Sequence, residues 1–211
     1  MAFTEEEVKS EVIWAMKALY NKGLMTGVGG NASARLPNSE EIWITPSGLY
    51  KPRLTEEDLV KIDLEGNVIE GVLKPSMEWH FHTEIYKRRS DVNAVVHAHS
   101  PYSTGLAIAG VEIRPITLEA ALMLAKVPVV PFKYPGTKEL AEEVGKRIMG
   151  TRLLILQNHG VIGVGYEMIE AVTAVEILEE VSMMTFIAKL MGRLIEIPPE
   201  EIEVIKKLYR I

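Results

Sequence analysis

Three histidines define the chemistry open to this chain. His97 and His99 stand one residue apart at the end of the apolar run Val92-Asn93-Ala94-Val95-Val96, and His159 follows a second run, Leu153-Leu154-Ile155-Leu156-Gln157-Asn158. Short apolar runs of this kind read as buried strands. Side chains on a strand alternate faces, so His97 and His99 leave the strand end in the same direction. One more imidazole brought beside them by the fold gives three neutral nitrogen donors for a divalent cation, the ligand set of a catalytic zinc with an open position.

The other two histidines behave differently. His80 and His82 fall in a helical pattern, where the 3.6-residue period sets them about 200° apart, so they do not share a metal. Glu78 lies in the same segment and is the candidate for a further ligand or a general base. A helical glutamate is ordinarily a solvated surface charge. Here Lys74-Pro75-Ser76-Met77-Glu78 places it in an expected first turn, among free backbone amides at the positive end of the helix dipole. Ser76, and the turns Gly29-Gly30-Asn31 and Ser47-Gly48, offer similar anion donors. None matches the dinucleotide fingerprint or the phosphate-binding loop that ends in Gly-Lys-Ser/Thr.

The elements that must position these residues alternate along the chain. Thr4 caps a helix carrying Val8, Val12, Met16 and Leu19, with Gly23 at its end. A strand at 42–44 and a hairpin at 60–69, turning at Glu65-Gly66-Asn67, precede a helix from Pro75 to Arg89. After the His97 strand, Pro101 opens a helix toward Ala109. Strand signals at 111–113 and 127–130 follow, then a helix at 138–149. The His159 strand has its partner at 161–164, and a helix from about 167 to 191 leads past Pro198-Pro199 to a final short helix. Such alternation predicts an α/β layered fold around one sheet. The His159 strand and its partner are too close for a crossover, so that pair is antiparallel.

Composition narrows the function classes. The 211 residues are 47% hydrophobic and 25% charged, ordinary for a soluble domain with a sizeable core. A net charge of -6 argues against a nucleic-acid footprint. With no cysteine, thiolate ligation and disulfides are excluded. The acidic start, Thr4-Glu5-Glu6-Glu7, reads as a capping box rather than a signal peptide, and no run reaches membrane-spanning length, so a cytoplasmic location is expected. A single glutamine beside six asparagines suggests a thermophilic source.

The ordered motifs Gly30-Asn31-Ala32-Ser33, Thr45-Pro46-Ser47-Gly48, Lys74-Pro75-Ser76-Met77-Glu78, His97-Ala98-His99 and Asn158-His159-Gly160 resemble those of the class II sugar-phosphate aldolases, the fuculose-phosphate enzymes above all. The resemblance covers nearly the whole chain. It implies a single three-layer α/β domain over residues 1–211, with a largely antiparallel central sheet flanked by helices. It implies Zn2+, one per subunit, on His97, His99 and His159, with Glu78 completing the coordination until substrate arrives and acting as the catalytic proton carrier. Gly30, Asn31, Ser47, Gly48 and Ser76 match positions that hold the substrate phosphate. Tyr209 matches a terminal catalytic tyrosine, and a cyclic homotetramer with active sites between subunits is implied.

The implied reaction is cleavage of a ketose 1-phosphate, L-fuculose 1-phosphate, to dihydroxyacetone phosphate and L-lactaldehyde. Two positions depart from the pattern. Met77 stands where the resembled enzymes carry a second serine, and no tyrosine falls near Leu118. Within the same superfamily, pentulose-5-phosphate 4-epimerases carry aspartate in place of Glu78, whereas methylthioribulose-1-phosphate dehydratases keep the glutamate. Non-catalytic adducin heads lack the full metal constellation.

Overall fold

A computed structural model describes residues 4–124 and 127–209. Eight strands form one sheet, flanked on each face by helices. In chain order they are β1 (Asn31–Ala34), β2 (Glu41–Ile44), β3 (Val60–Asp63), β4 (Val68–Glu70), β5 (Ala94–Ala98), β6 (Val129–Val130), β7 (Leu153–Leu156) and β8 (Gly160–Gly165). The spatial order is β4-β3-β2-β1-β5-β8-β7-β6. Every neighbouring pair is antiparallel except β6 and β7. Helices are α1 (Glu5–Asn21), α2 (Trp79–Arg88), α3 (Pro101–Ile108), α4 (Leu118–Met123), α5 (Lys138–Arg147), α6 (Met168–Leu190) and α7 (Pro199–Tyr209).

The central strands read as continuous apolar runs because both faces are covered. Along β5, Ala94, Val96 and Ala98 pack into a core with α1, α3 and α6, while Val95 joins the opposite core with α2 and α5. Leu153 and Ile155 of β7 face the first core, and Leu154 and Leu156 the second. This alternation sends His97, two residues after Val95, to the α2 side. No helix among the described residues is long and apolar enough to cross a membrane.

Capping fixes the helix ends. Thr4 and Glu7 form the capping box of α1. At the other end Gly23 has φ +71°, and the amides of Gly23 and Leu24 return to the carbonyls of Tyr20 and Leu19, a Schellman closure. The Leu24 carbonyl then accepts the His99 amide at 2.8 Å. Glu179 of α6 accepts from the amides of Tyr102 at 2.8 Å and Ser103 at 2.9 Å, anchoring the start of α3 just beyond His99.

Several boundaries differ from those expected. Residues 111–113 form no strand, because the Val111 amide is drawn to the Leu106 carbonyl in a second Schellman closure at the end of α3. The short helix α4, capped by Thr117 at the Ala120 amide, was not anticipated. The strand expected to run to His159 stops at Leu156. Asn158 has φ +61°, which no strand tolerates, and His159 sits in the tight turn between β7 and β8.

The helix expected from Pro75 begins instead at Trp79. Pro75 pairs with Pro46 across an isolated bridge, and the amides of Ser47 and Ser76 are taken by the carbonyls of Lys74 and Thr45. Residues 75–78 are therefore held extended and turning. Glu78 precedes the helix at φ -95°, ψ 9°, in the sparsely populated bridge region where active-site residues recur. Neither its position in a first helical turn nor a free Ser76 amide is realised.

Candidate metal and active site

The fold brings His97, His99 and His159 together: their ligand atoms all lie within 4.8 Å of one another. His97 and His99 come from the end of β5 and His159 from the β7–β8 turn, which the β5–β8 pairing places alongside. Gly160 makes this approach possible. A Cβ there would strike the Ala98 carbonyl and crowd the rings of His97 and His99. Gly30, at φ +68°, likewise leaves room for the His97 carbonyl.

Hydrogen bonding fixes the form of His97. Its Nδ1 lies 2.9 Å from the Val161 carbonyl, which only accepts, so Nδ1 carries the proton and Nε2 presents a lone pair. Burial, then the neighbouring His99, pulls its pKa down to about 3. Burial and His97 likewise lower His159 to about 4, against an opposing pull from Glu78. Burial also lowers the pKa of His99. All three are neutral at physiological pH, the form that binds metals.

The donor set fits a divalent cation. His97 Nε2 and His99 Nε2 are 3.1 Å apart, close to the roughly 3.3 Å between nitrogens bound at about 2.0–2.1 Å in a tetrahedral site. Glu78 Oε2 is 3.4 Å from His97 Nε2, and Glu78 Oε1 is 3.6 Å from His159 Nε2. Both Glu78 Oε1 and His159 Nδ1 are buried without a hydrogen-bond partner. A cation among the imidazoles would meet that unpartnered carboxylate oxygen.

Glu78 is held from behind by a polar chain that the sequence did not disclose. Asn31 Nδ2 donates to Glu78 Oε2 at 2.8 Å. With its amide nitrogen on a carboxylate, Asn31 turns Oδ1 toward His82, whose Nε2–H donates to it at 2.5 Å. His82 Nδ1 is then the acceptor for the Ser33 hydroxyl at 2.7 Å, and the Tyr86 hydroxyl donates to the Ser33 carbonyl at 2.9 Å. His82 is fully buried, which keeps its pKa well below the usual imidazole value. Its partner Asn31 lies opposite His97 in the β1–β5 register. The one available signal was that Asn31 and Ser33 share a strand face by period two.

A cavity of about 360 Å³ adjoins the cluster, lined by Gly30, Asn31, Ser47, Gly48, Ser76 and Glu78 together with His99 and His159. Every candidate phosphate residue therefore lines the same space as His99 and His159. The Ser76 hydroxyl accepts from the Glu78 amide at 3.3 Å and keeps its own proton to donate. Tyr209 is not among the lining residues; it is exposed at the end of α7. A cavity of about 400 Å³ between α1 and the start of α6 has no histidine in its walls.

Residues 10–186 match the family model described as "Class II Aldolase and Adducin N-terminal domain". An L-fuculose phosphate aldolase of Methanocaldococcus jannaschii is 38% identical over 179 residues, 85% of this chain and 96% of that protein. A 5-deoxy-D-ribulose 1-phosphate aldolase of Bacillus thuringiensis serovar kurstaki is 32% identical over 204 residues, 97% of this chain and 96% of its own. A 3-oxo-tetronate 4-phosphate decarboxylase of Haemophilus influenzae is 33% identical over 188 residues, 87% of this chain and 89% of its own. A solved structure of an L-fuculose 1-phosphate aldolase superposes with TM-score 0.90 at 33% identity, covering 100% of this chain and 99% of that one.

Proposed function

The chain belongs to the class II aldolase and adducin N-terminal domain family, a metal-dependent aldolase of the lyase class, and from that premise we propose that it is a zinc enzyme cleaving a ketose 1-phosphate, L-fuculose 1-phosphate in the first instance. The products are dihydroxyacetone phosphate and L-lactaldehyde. The observation that carries this reading is the convergence of three imidazoles within 4.8 Å beside the buried carboxylate of Glu78. An adducin-head reading is disfavoured by that complete constellation.

His97, His99 and His159 would hold the divalent cation, which supplies Lewis-acid polarisation of the ketose carbonyl and its adjacent hydroxyl. The carbon–carbon bond breaks between C3 and C4, the C4 hydroxyl loses its proton as the aldehyde forms, and the electron pair remains on C3. Glu78 Oε1, the unpartnered oxygen, delivers a proton to C3, completing dihydroxyacetone phosphate. In the direction of synthesis the same oxygen removes it. Asn31 keeps Oε2 occupied, so Oε1 is the oxygen left for the exchange. The Ser47-Gly48 turn and Ser76 bind the phosphate, and burial of Glu78 and His97 excludes water from the reacting carbon. Tyr209 acts in this scheme from a neighbouring subunit of a homotetramer, relaying the C4 hydroxyl proton to Glu78, so that the proton lost at C4 is the one C3 receives.

The test is release of dihydroxyacetone phosphate, coupled to a reductase, from L-fuculose 1-phosphate and from 5-deoxy-D-ribulose 1-phosphate. Methylthioribulose 1-phosphate, a pentulose 5-phosphate and 3-oxo-tetronate 4-phosphate are offered in parallel. Chelator-sensitive release from the fuculose ester supports the reading. Dehydration, epimerisation or decarboxylation of a parallel substrate, with no release from any ketose 1-phosphate, rejects it.

A further inference from the structure

Five residues expected to hold phosphate, Gly30, Asn31, Ser47, Gly48 and Ser76, are all neutral, and the one carboxylate among the residues lining their cavity is that of Glu78. A phosphate dianion would enter that space against a like charge. The cavity nevertheless contains one cation. Lys51 is the only lysine or arginine among its lining residues, and it is 2% exposed.

The placement of Lys51 is unusual for a lysine. It follows the Ser47-Gly48 turn, and its Nζ reaches back to the carbonyls of Pro46 at 2.9 Å and Leu49 at 3.3 Å. An ammonium has three donors, so one remains. Burial alone lowers the pKa of Lys51, with no opposing pull from a carboxylate. An ammonium withdrawn from water without a counter-ion is costly to keep, and an anion seated in the cavity would relieve that cost. Met77, where the resembled enzymes carry a second serine, removes one neutral donor from the same wall.

We propose that Lys51 is a specificity-determining residue, whose buried ammonium supplies the positive charge that seats a phosphate dianion against the Ser47-Gly48 turn. The identity of the sugar attached to that phosphate rests on the aldolase reading above; the anion site itself does not. The competing role is mechanical, with Lys51 only pinning residues 46–49 through their carbonyls.

The full chain is titrated with inorganic phosphate by calorimetry, metal-loaded and again after chelation, which removes any phosphate bound at the histidines. Lys51→Met, Lys51→Gln and Lys51→Arg are compared, with thermal midpoints recorded. Saturable binding by the wild type in both states is expected, weakened on the order of 30-fold or more by Lys51→Met and Lys51→Gln, the usual consequence of removing one partner of a desolvated charge pair. Lys51→Arg, which keeps the charge, should lose far less. Lys51→Gln keeps a donor for the turn carbonyls, so it separates charge from mechanical pinning and carries the test if Lys51→Met does not fold. The proposal is overturned if a folded charge-free variant binds phosphate as the wild type does, or if the chelated wild type binds none. Turnover is scored separately. Phosphate binding through Lys51 without ketose cleavage would reject the aldolase reading and keep this one, and cleavage with a Lys51-independent phosphate site would do the reverse.

Discussion

Asn31 and Glu78, 47 positions apart in sequence, are joined by a 2.8 Å hydrogen bond from Nδ2 to Oε2 that settles which carboxylate oxygen is free. Asn31 is itself oriented by His82. Replacing His82 by Phe leaves the Asn31 carbonyl without its partner, at about 1–3 kcal/mol for that orphaned group, while the Ser33 hydroxyl keeps the Tyr86 hydroxyl at 2.9 Å. The expected outcome is a lowered thermal midpoint together with a kcat reduced about 10-fold or more through misplacement of Glu78. A normal kcat in the folded variant would remove the orienting role.

Glu78→Gln keeps the shape of the side chain and a contact for Asn31 but ends proton exchange at Oε1. Turnover should fall about 100-fold or more, the range for losing a positioned acid/base group. The three imidazoles should still retain metal, read by elemental analysis. Full activity in this variant would exclude Glu78 as the proton carrier.

Loss of metal should follow from two separate lesions. His99→Ala removes a ligand directly. Gly160→Ala leaves all ligands in place but drives a methyl group into the Ala98 carbonyl and the rings of His97 and His99. Both proteins should purify with little metal, and the wild type should show a larger thermal midpoint loss on chelation than either. Normal metal content in His99→Ala would dismiss it as a ligand.

The metal-free protein should weaken in mild acid. In the fold His97 does not bind a proton until about pH 3 and His159 until about pH 4; unfolded imidazoles do so near pH 6.5. Between those limits the unfolded chain holds more protons, so stability is present above about pH 6.5 and is lost as pH falls toward 4. Thermal midpoints of chelated protein at pH 7.5 and 5 would register the drop; equal values would contradict it.

Much of the framework was legible because it is written in local signals. The Thr4–Glu7 capping box, the Gly23 closure, the hairpin at residues 60–70 and the paired apolar runs around His97 and His159 each declare themselves within a few residues. The shared direction of His97 and His99 follows from period-two alternation, whereas His159 as their third partner is implied by the resemblance to the class II aldolases. The start of α2 at Trp79 is not legible because Pro75 looks like a helix opener, whereas its pairing with Pro46 comes from elsewhere in the chain. For the same reason the roles of His82 and Lys51 are not legible in the sequence. His82 meets Asn31 across 51 positions, and Lys51 acquires meaning only when its stem folds back under Pro46. The short helix α4 had a capping threonine but too few residues for a period to show.

The most direct measurement is X-ray absorption at the zinc edge of the zinc-loaded chain. Three imidazole nitrogens at about 2.0–2.1 Å with oxygen completing the shell are predicted, falling to two imidazoles in His99→Ala. A wild-type shell of oxygens alone, or one containing fewer than three imidazoles, would contradict the convergence of His97, His99 and His159 on one ion.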